Sequence, residues 1–451
     1  MKTELDNSPN LTADSEPRDI GWVKVVGLGV ACAVSGNFSG WNLGLAIGGW
    51  GGMAVAALIM GTFYTLVVRC VAELASAFTA QGMDSYARFG LGTNGGFVAG
   101  MSVAVAMSLA VGLGISFISA YGESVFGIHG WSLRAPLLIL LIWIQLRGAR
   151  DAVGFTMAMG FLSAVVVAIF CIAAAPHFKA ENIYSMHEGG RTLTRNGLPG
   201  IIGCVPYALF LFLGVEQAAN AAGHMGEGRR NLPKALFVAT AVTLCVGLGS
   251  LLFATGIAGV EKLSTVGDPL YAAITSEGGY SGHSLIGRIV GGGAVLSLIG
   301  TVFSFAYGAS VQYQSLAATG LLPALIARTN ARGAPYWGLI VVGLVGVLAS
   351  VADPNSILVV IIFCLTVCIQ LVLLSFLRLR LYRPDIERPY RASAGKASAV
   401  IAISLSLLVM WACSELQKAA LLYVACGYAV LALYLWMGPR RNAFVQQEKA
   451  G

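Results

Sequence analysis

Two short stretches of the chain combine ligand-binding groups with a backbone that resists staying helical. The first is SGNFSGWNLG, residues 35–44. Asn37 offers a carbonyl to an ammonium and an amide to a hydroxyl, and Ser39 and Asn42 add a hydroxyl and a second amide. Gly40 loosens the backbone, while the ring of Trp41 can cover a cation or narrow a cavity. The second is GCVPYALFLFLGVEQAANAAG, residues 203–223, with Pro206, Tyr207, Phe210, Leu211, Gly214 and the acid Glu216. A carboxylate inside hydrocarbon is costly and marks function. Glu216 can bind an amine, take up a proton or tie its helix to a neighbour. A third pair, Arg69 and Glu73, stands i, i+4 and can form a structural or gating ion pair. No His/Cys/Asp/Glu group has metal-ligand spacing, and no nucleophile–base set stands out. The nine cysteines form no CxxC pair and read as small packing residues.

These groups sit in a chain built for a bilayer. Of its 451 residues, 57% are hydrophobic and 11% charged, with mean hydropathy +0.77. A soluble chain carries about twice that charged fraction. Apolar runs recur from Val23 to Trp436, and the pattern predicts twelve spans near 23–49, 52–78, 94–122, 132–147, 152–175, 198–223, 233–258, 286–316, 335–351, 355–379, 397–416 and 419–437. The expected fold is therefore an all-α polytopic membrane protein. Residues 1–22 are acidic rather than signal-like and read as a tail, 23–437 as one membrane domain, and 438–451 as a second tail. Twenty lysines and arginines fall on the side of the termini and seven on the other, so both termini are expected in the cytoplasm. The +7 net charge follows from this placement and implies no nucleic-acid partner.

Residues 23–175 and 198–379 each hold five spans, followed by two further helices over 397–437. Five is odd, so the second unit runs opposite to the first. Inverted repeats with matching interrupted helices point to a transporter, with the site where the interruptions meet. The same glycines also suit close helix packing. Paired, polar-rich interruptions favour an opening, because irregular backbone at membrane depth must be buried in protein or line a cavity. Freed carbonyls there accept from an ammonium, and helix N-termini attract a carboxylate.

The chain resembles the amino acid–polyamine–organocation (APC) transporters from about Val26 to Arg391. The motifs, in order, are VSGNFSGWNLG (34–44), AELASAFTAQGMDSYARFGLGTNGGFVAG (72–100), FLFLGVEQAANAAGHMGEGRRNLPKA (210–235), ATGLLPALIARTNARGAPYWG (318–338) and LRLRLYRPDIERPYR (377–391). The resemblance implies a 5+5 inverted repeat of LeuT-like type, with helices 1 and 6 broken and two extra C-terminal helices. It also implies that Asn37, Gly40, Trp41 and Asn42 form the first break, and that Phe210, Leu211 and Phe305 line the cavity. Glu73 falls in the AEL motif near the cytoplasmic face. SGNFSGWNLGLAIGGWGGM looks most like the ethanolamine-permease branch, where an acid is expected in the place of Asn37.

The expected function is secondary transport of a small, ethanolamine-like amine across the cytoplasmic (inner) membrane by alternating access. An amino acid or polyamine carrier of the same fold is the alternative. A channel or a nutrient sensor is the reading from another class. No cofactor is expected. Some relatives place a lysine in the fifth helix, but residues 152–175 have none, while helix eight offers Ser304, Ser310 and Ser315. Proton coupling, sodium coupling, exchange and uniport all stay open.

Overall fold

The computed structural model describes residues 21–78, 82–148, 152–187, 190–215 and 231–437. Helices dominate: α1 (Trp22–Val34), α2 (Leu45–Ala77), α3 (Met83–Phe126), α4 (Trp131–Leu146), α5 (Ala152–Ala174), α6 (Gly197–Phe210), α7 (Leu232–Ala258), the short α8 (Val260–Leu263) and α9 (Pro269–Ile274), α10 (Leu285–Ala318), α11 (Tyr336–Val351), α12 (Pro354–Tyr382), α13 (Gly395–Leu416) and α14 (Lys418–Trp436). Strands β1 (Ser185–His187) and β2 (Gly190–Thr192) pair antiparallel, with Met186 opposite Arg191. Among the described residues, eight helical segments are long and apolar enough to cross a membrane, and four shorter apolar helices accompany them. The chain is a multi-pass membrane protein.

The first candidate break interrupts the helical run, and at the second a helix ends inside apolar sequence. α1 stops at Val34, and a 3-10 turn over Ser35–Asn37 follows. A second 3-10 turn, Trp41–Gly44, leads into α2. Gly40 has φ +98, outside the range comfortable for residues with a Cβ. Gly49 (φ +67) then kinks the start of α2, so the glycines after the first break mark the turn into the second helix. α6 ends at Phe210, and a turn carries the chain through Gly214 at φ +104.

Some boundaries differ from the expected ones. α3 starts at Met83 rather than near 94, because Gly92 (φ +80) joins an additional amphipathic segment, 83–91, to the apolar helix. The hairpin and helices α8 and α9 lie in connections that the hydropathy pattern reads only as loops.

α3 is the central strut and packs along α12, α10 and α11. α2 packs on α6 and α7, and α1 lies between α5 and α7. Small residues allow this: a Cβ on Gly114 of α3 would sit 2.4 Å from Val302 of α10. α14 stands apart, with Leu422, Tyr423, Val430 and Trp436 exposed, as suits a helix facing lipid.

Candidate functional site

The first break is held together by its own polar side chains. Asn37 is fully buried, and its amide donates to the Val34 carbonyl at 3.1 Å. The Trp41 indole N–H donates to the Asn37 carbonyl at 2.8 Å, spanning the turn. The Gly40 amide donates to Asn42 Oδ1 at 3.0 Å. Each bond satisfies a backbone group that the interrupted helix leaves without its usual partner.

The break is also tied to distant chain. Asn42 Nδ2 donates to the carbonyls of Leu263 (2.7 Å) and Val266 (2.8 Å), between α8 and α9. The Ser39 hydroxyl lies 2.7 Å from the carbonyls of Phe38 and Gly267. The Tyr121 hydroxyl, near the end of α3, donates to the Phe38 carbonyl at 2.8 Å. The residues from α8 to α9 thus rest on the first break.

A narrow cleft opens beside it. Gly36 and Ser39 supply the wall from the first break, and Phe210 and Leu213 the wall from the sixth helix. Phe117 and Leu113 of α3, with Thr301 and Phe305 of α10, close the other side. Among the described residues no charged side chain lines it; the polar lining is two hydroxyls and the backbone of the break. Such a space favours an apolar or aromatic-philic body, with a polar head directed at the break.

Of the expected site residues, Ser39, Phe210 and Phe305 meet in this cleft. Gly40 sits directly behind Phe210: a Cβ there would lie 2.8 Å from the ring. Asn37, Trp41 and Asn42 are buried within the break and do not line the cleft. The Trp41 ring is 1% exposed and its N–H is taken up by the break, so it packs the turn instead of covering a cation. Leu211 turns towards Gly247 of α7, as does Asn37 Oδ1, which has no hydrogen-bond partner among the described residues. Tyr207 donates its hydroxyl to Asn355 at the start of α12. Gly214 shapes the sixth-helix turn. Glu216 lies outside the described residues.

The pairing of Arg69 with Glu73 is corrected. Arg69 reaches the Ser393 carbonyl at 3.0 Å, as well as its hydroxyl. Glu73, with a side chain 2% exposed, accepts from Arg380 Nε at 3.0 Å and Nη2 at 2.8 Å. Arg388 Nε stands 3.3 Å away, and the Ala392 amide donates to Oε2 at 2.8 Å. A bidentate partner beats an i, i+4 one here because Glu73 points into the interior, where Arg380 is also buried. The signal was present in LRLRLYRPDIERPYR, which serves in the sequence reading to fix sidedness and as a family motif, with no partner named for its arginines. Phe117, Leu113 and Thr301 carried no such signal. They stand in helices apolar on every face.

Comparison with known proteins agrees with this architecture. Residues 20–434 match the family model described as amino acid permease. The methylthioribose transporter of Bacillus subtilis is 22% identical over 440 residues, covering 90% of this chain and 91% of that protein. The chloroplastic cationic amino acid transporter 9 of Arabidopsis thaliana is 25% identical, covering 71% of this chain and 58% of its own length. Amino-acid permease GAP3 of Candida albicans is 24% identical over 72% of this chain and 56% of its own.

Proposed function

We propose, starting from the fact that this chain belongs to the amino acid permease family, that it is a secondary carrier for a small organic amine and that the cleft at the first break is its binding site. The chain is a transporter of the APC superfamily and not an enzyme. The observation carrying the substrate reading is the cleft lining: three phenylalanines, two hydroxyls, the backbone of the break and, among the described residues, no charged side chain. An ammonium in this space accepts stabilisation from the ring faces of Phe117, Phe210 and Phe305, and from carbonyls of the break. Ethanolamine-like amines suit it because they bring no carboxylate in need of a cation. An amino acid is the second reading, favoured by the names of two relatives. Its carboxylate would rely on the break's amides.

In this reading residues 23–175 and 198–379 form two inverted five-helix units, with 397–437 added. One bundle rocks against the other around the cleft. The lysine and arginine bias supports placing both termini on the cytoplasmic side of the inner membrane. Carrier rather than channel is supported by the α8–α9 connection, which is hydrogen-bonded to the first break through Ser39 and Asn42.

Uptake of labelled ethanolamine, a panel of amino acids and methylthioribose into vesicles containing the purified protein tests this. Ethanolamine or a related primary amine is expected to enter saturably and to be displaced by other small amines. Entry of amino acids alone would overturn the amine assignment.

A further inference from the structure

Residues 259–274 cover the first break and bring a carboxylate to it. Asn42 holds the Leu263 and Val266 carbonyls, and Ser39, which lines the cleft, holds that of Gly267. The next residue is Asp268, immediately before α9 and only 6% exposed. It lies outside the candidate membrane spans. Among the described residues, no lysine, arginine or histidine pairs with it. The Ser124 hydroxyl is close enough to favour its ionised form. The charged groups facing it are Glu123 of α3, bridged to His129 at 3.1 Å, and Lys262 of α8. Tyr121 of α3 and Tyr271 of α9 complete its surroundings. The Tyr121 hydroxyl and the Ser39 hydroxyl both meet the Phe38 carbonyl, and Ser39 also meets that of Gly267, so the residues beside the carboxylate are tied to the break.

We propose that Asp268 is a proton-binding site in a gate formed by residues 259–274, protonated when the gate lies closed on the first break and ionised when it lifts. This rests on the carrier reading, which requires the covering segment to move. An ionised carboxylate is costly to bury without a cation, and the neutral acid is not. Burial accordingly raises the Asp268 pKa above the usual carboxylate range, with a further push from Glu123, while Ser124 and Lys262 oppose it. When the gate lifts, water hydrates the carboxylate and the pKa returns towards its ordinary value. Closure therefore takes up a proton. The closed gate is favoured as pH falls and is progressively lost as pH rises through the raised pKa.

Hydrogen–deuterium exchange of the full chain in lipid vesicles reads this without any substrate. After correction for intrinsic exchange, amides of residues 263–268 are expected to be more protected at about pH 5 than at about pH 8. The change is roughly tenfold for each pKa unit separating closed from open gate. Asp268→Asn mimics the neutral acid and is expected to show the high protection at both values. Ser124→Ala, at an exposed position, removes a hydroxyl that favours the ionised carboxylate and is expected to move the midpoint to higher pH. Wild-type protection that ignores pH, or an unmoved midpoint in Ser124→Ala, overturns the proposal even if Asp268→Asn fails to fold. A protein that carries no amine fails the uptake panel and yet can show this gate, so the two readings fail separately.

Discussion

Replacing Gly40 with valine is expected to reduce uptake at least tenfold at equal membrane abundance. Gly40 adopts φ +98, which costs a residue bearing a Cβ about 1–2 kcal/mol. The added Cβ would lie 2.8 Å from Cε1 of Phe210 and 3.1 Å from Leu358. Phe210 is the neighbour able to rotate, and it rotates into the cleft it lines. Gly40→Ala adds the same first atom with less bulk and is expected to show a smaller loss. Gly127 supplies the control: it also has positive φ, +69, but open space around it. Gly127→Ala should strain the backbone similarly and leave uptake near the wild-type rate. Wild-type uptake by Gly40→Val would separate the break from transport.

Glu73→Ala is expected to be the most destabilising single change, by about 3–5 kcal/mol, the usual cost of stripping one partner from a buried ion pair. It leaves Arg380 and Arg388, each about 10% exposed at the side chain, facing a void, and orphans the Ala392 amide. The connection between α12 and α13 is held to α2 by this carboxylate and by Ser76, which contacts the Tyr390 backbone. Its loss should therefore loosen residues 383–394 together. Glu73→Gln keeps an acceptor for the amide and is expected to fall between. Arg69→Ala, which breaks contacts to Ser393 alone, should stay within about 0.5 kcal/mol. The apparent thermal midpoint in detergent, compared at one scan rate, measures the series. Equal losses in Arg69→Ala and Glu73→Ala would restore the local pairing.

The first break was legible because its signals are local. Glycine, asparagine and serine inside apolar sequence read the same way in the chain and in the structure, from Ser35 to the kink at Gly49. Phe210 and Phe305 reached the cleft through family motifs, since a phenylalanine in a membrane helix is otherwise plain packing. The opposite wall was hidden. Phe117 and Thr301 lie on helices whose lipid-facing and protein-facing sides are equally apolar, so periodicity cannot tell which side is inward. Trp41 and Asn42 stand in the expected segment, and their side chains bond to the chain itself. A polar group in a break can satisfy its own backbone as readily as a ligand, and here the backbone's demand comes first. The long-range ties could not be read at all. Glu73 and Arg380 are 307 residues apart, and Ser39 and Gly267 are 228 apart. Nothing in the loop sequence GVEKLSTVGD distinguishes a gate from an ordinary polar connection.

The central claim is that the cleft at the first break holds the transported compound. The most direct test is a structure of the protein in lipid with the compound that the uptake panel identifies. The account predicts ligand density between Ser39, Phe117, Phe210 and Phe305, with the amine directed at the backbone of residues 36–40. Density elsewhere, with this cleft filled by its own side chains, would contradict it.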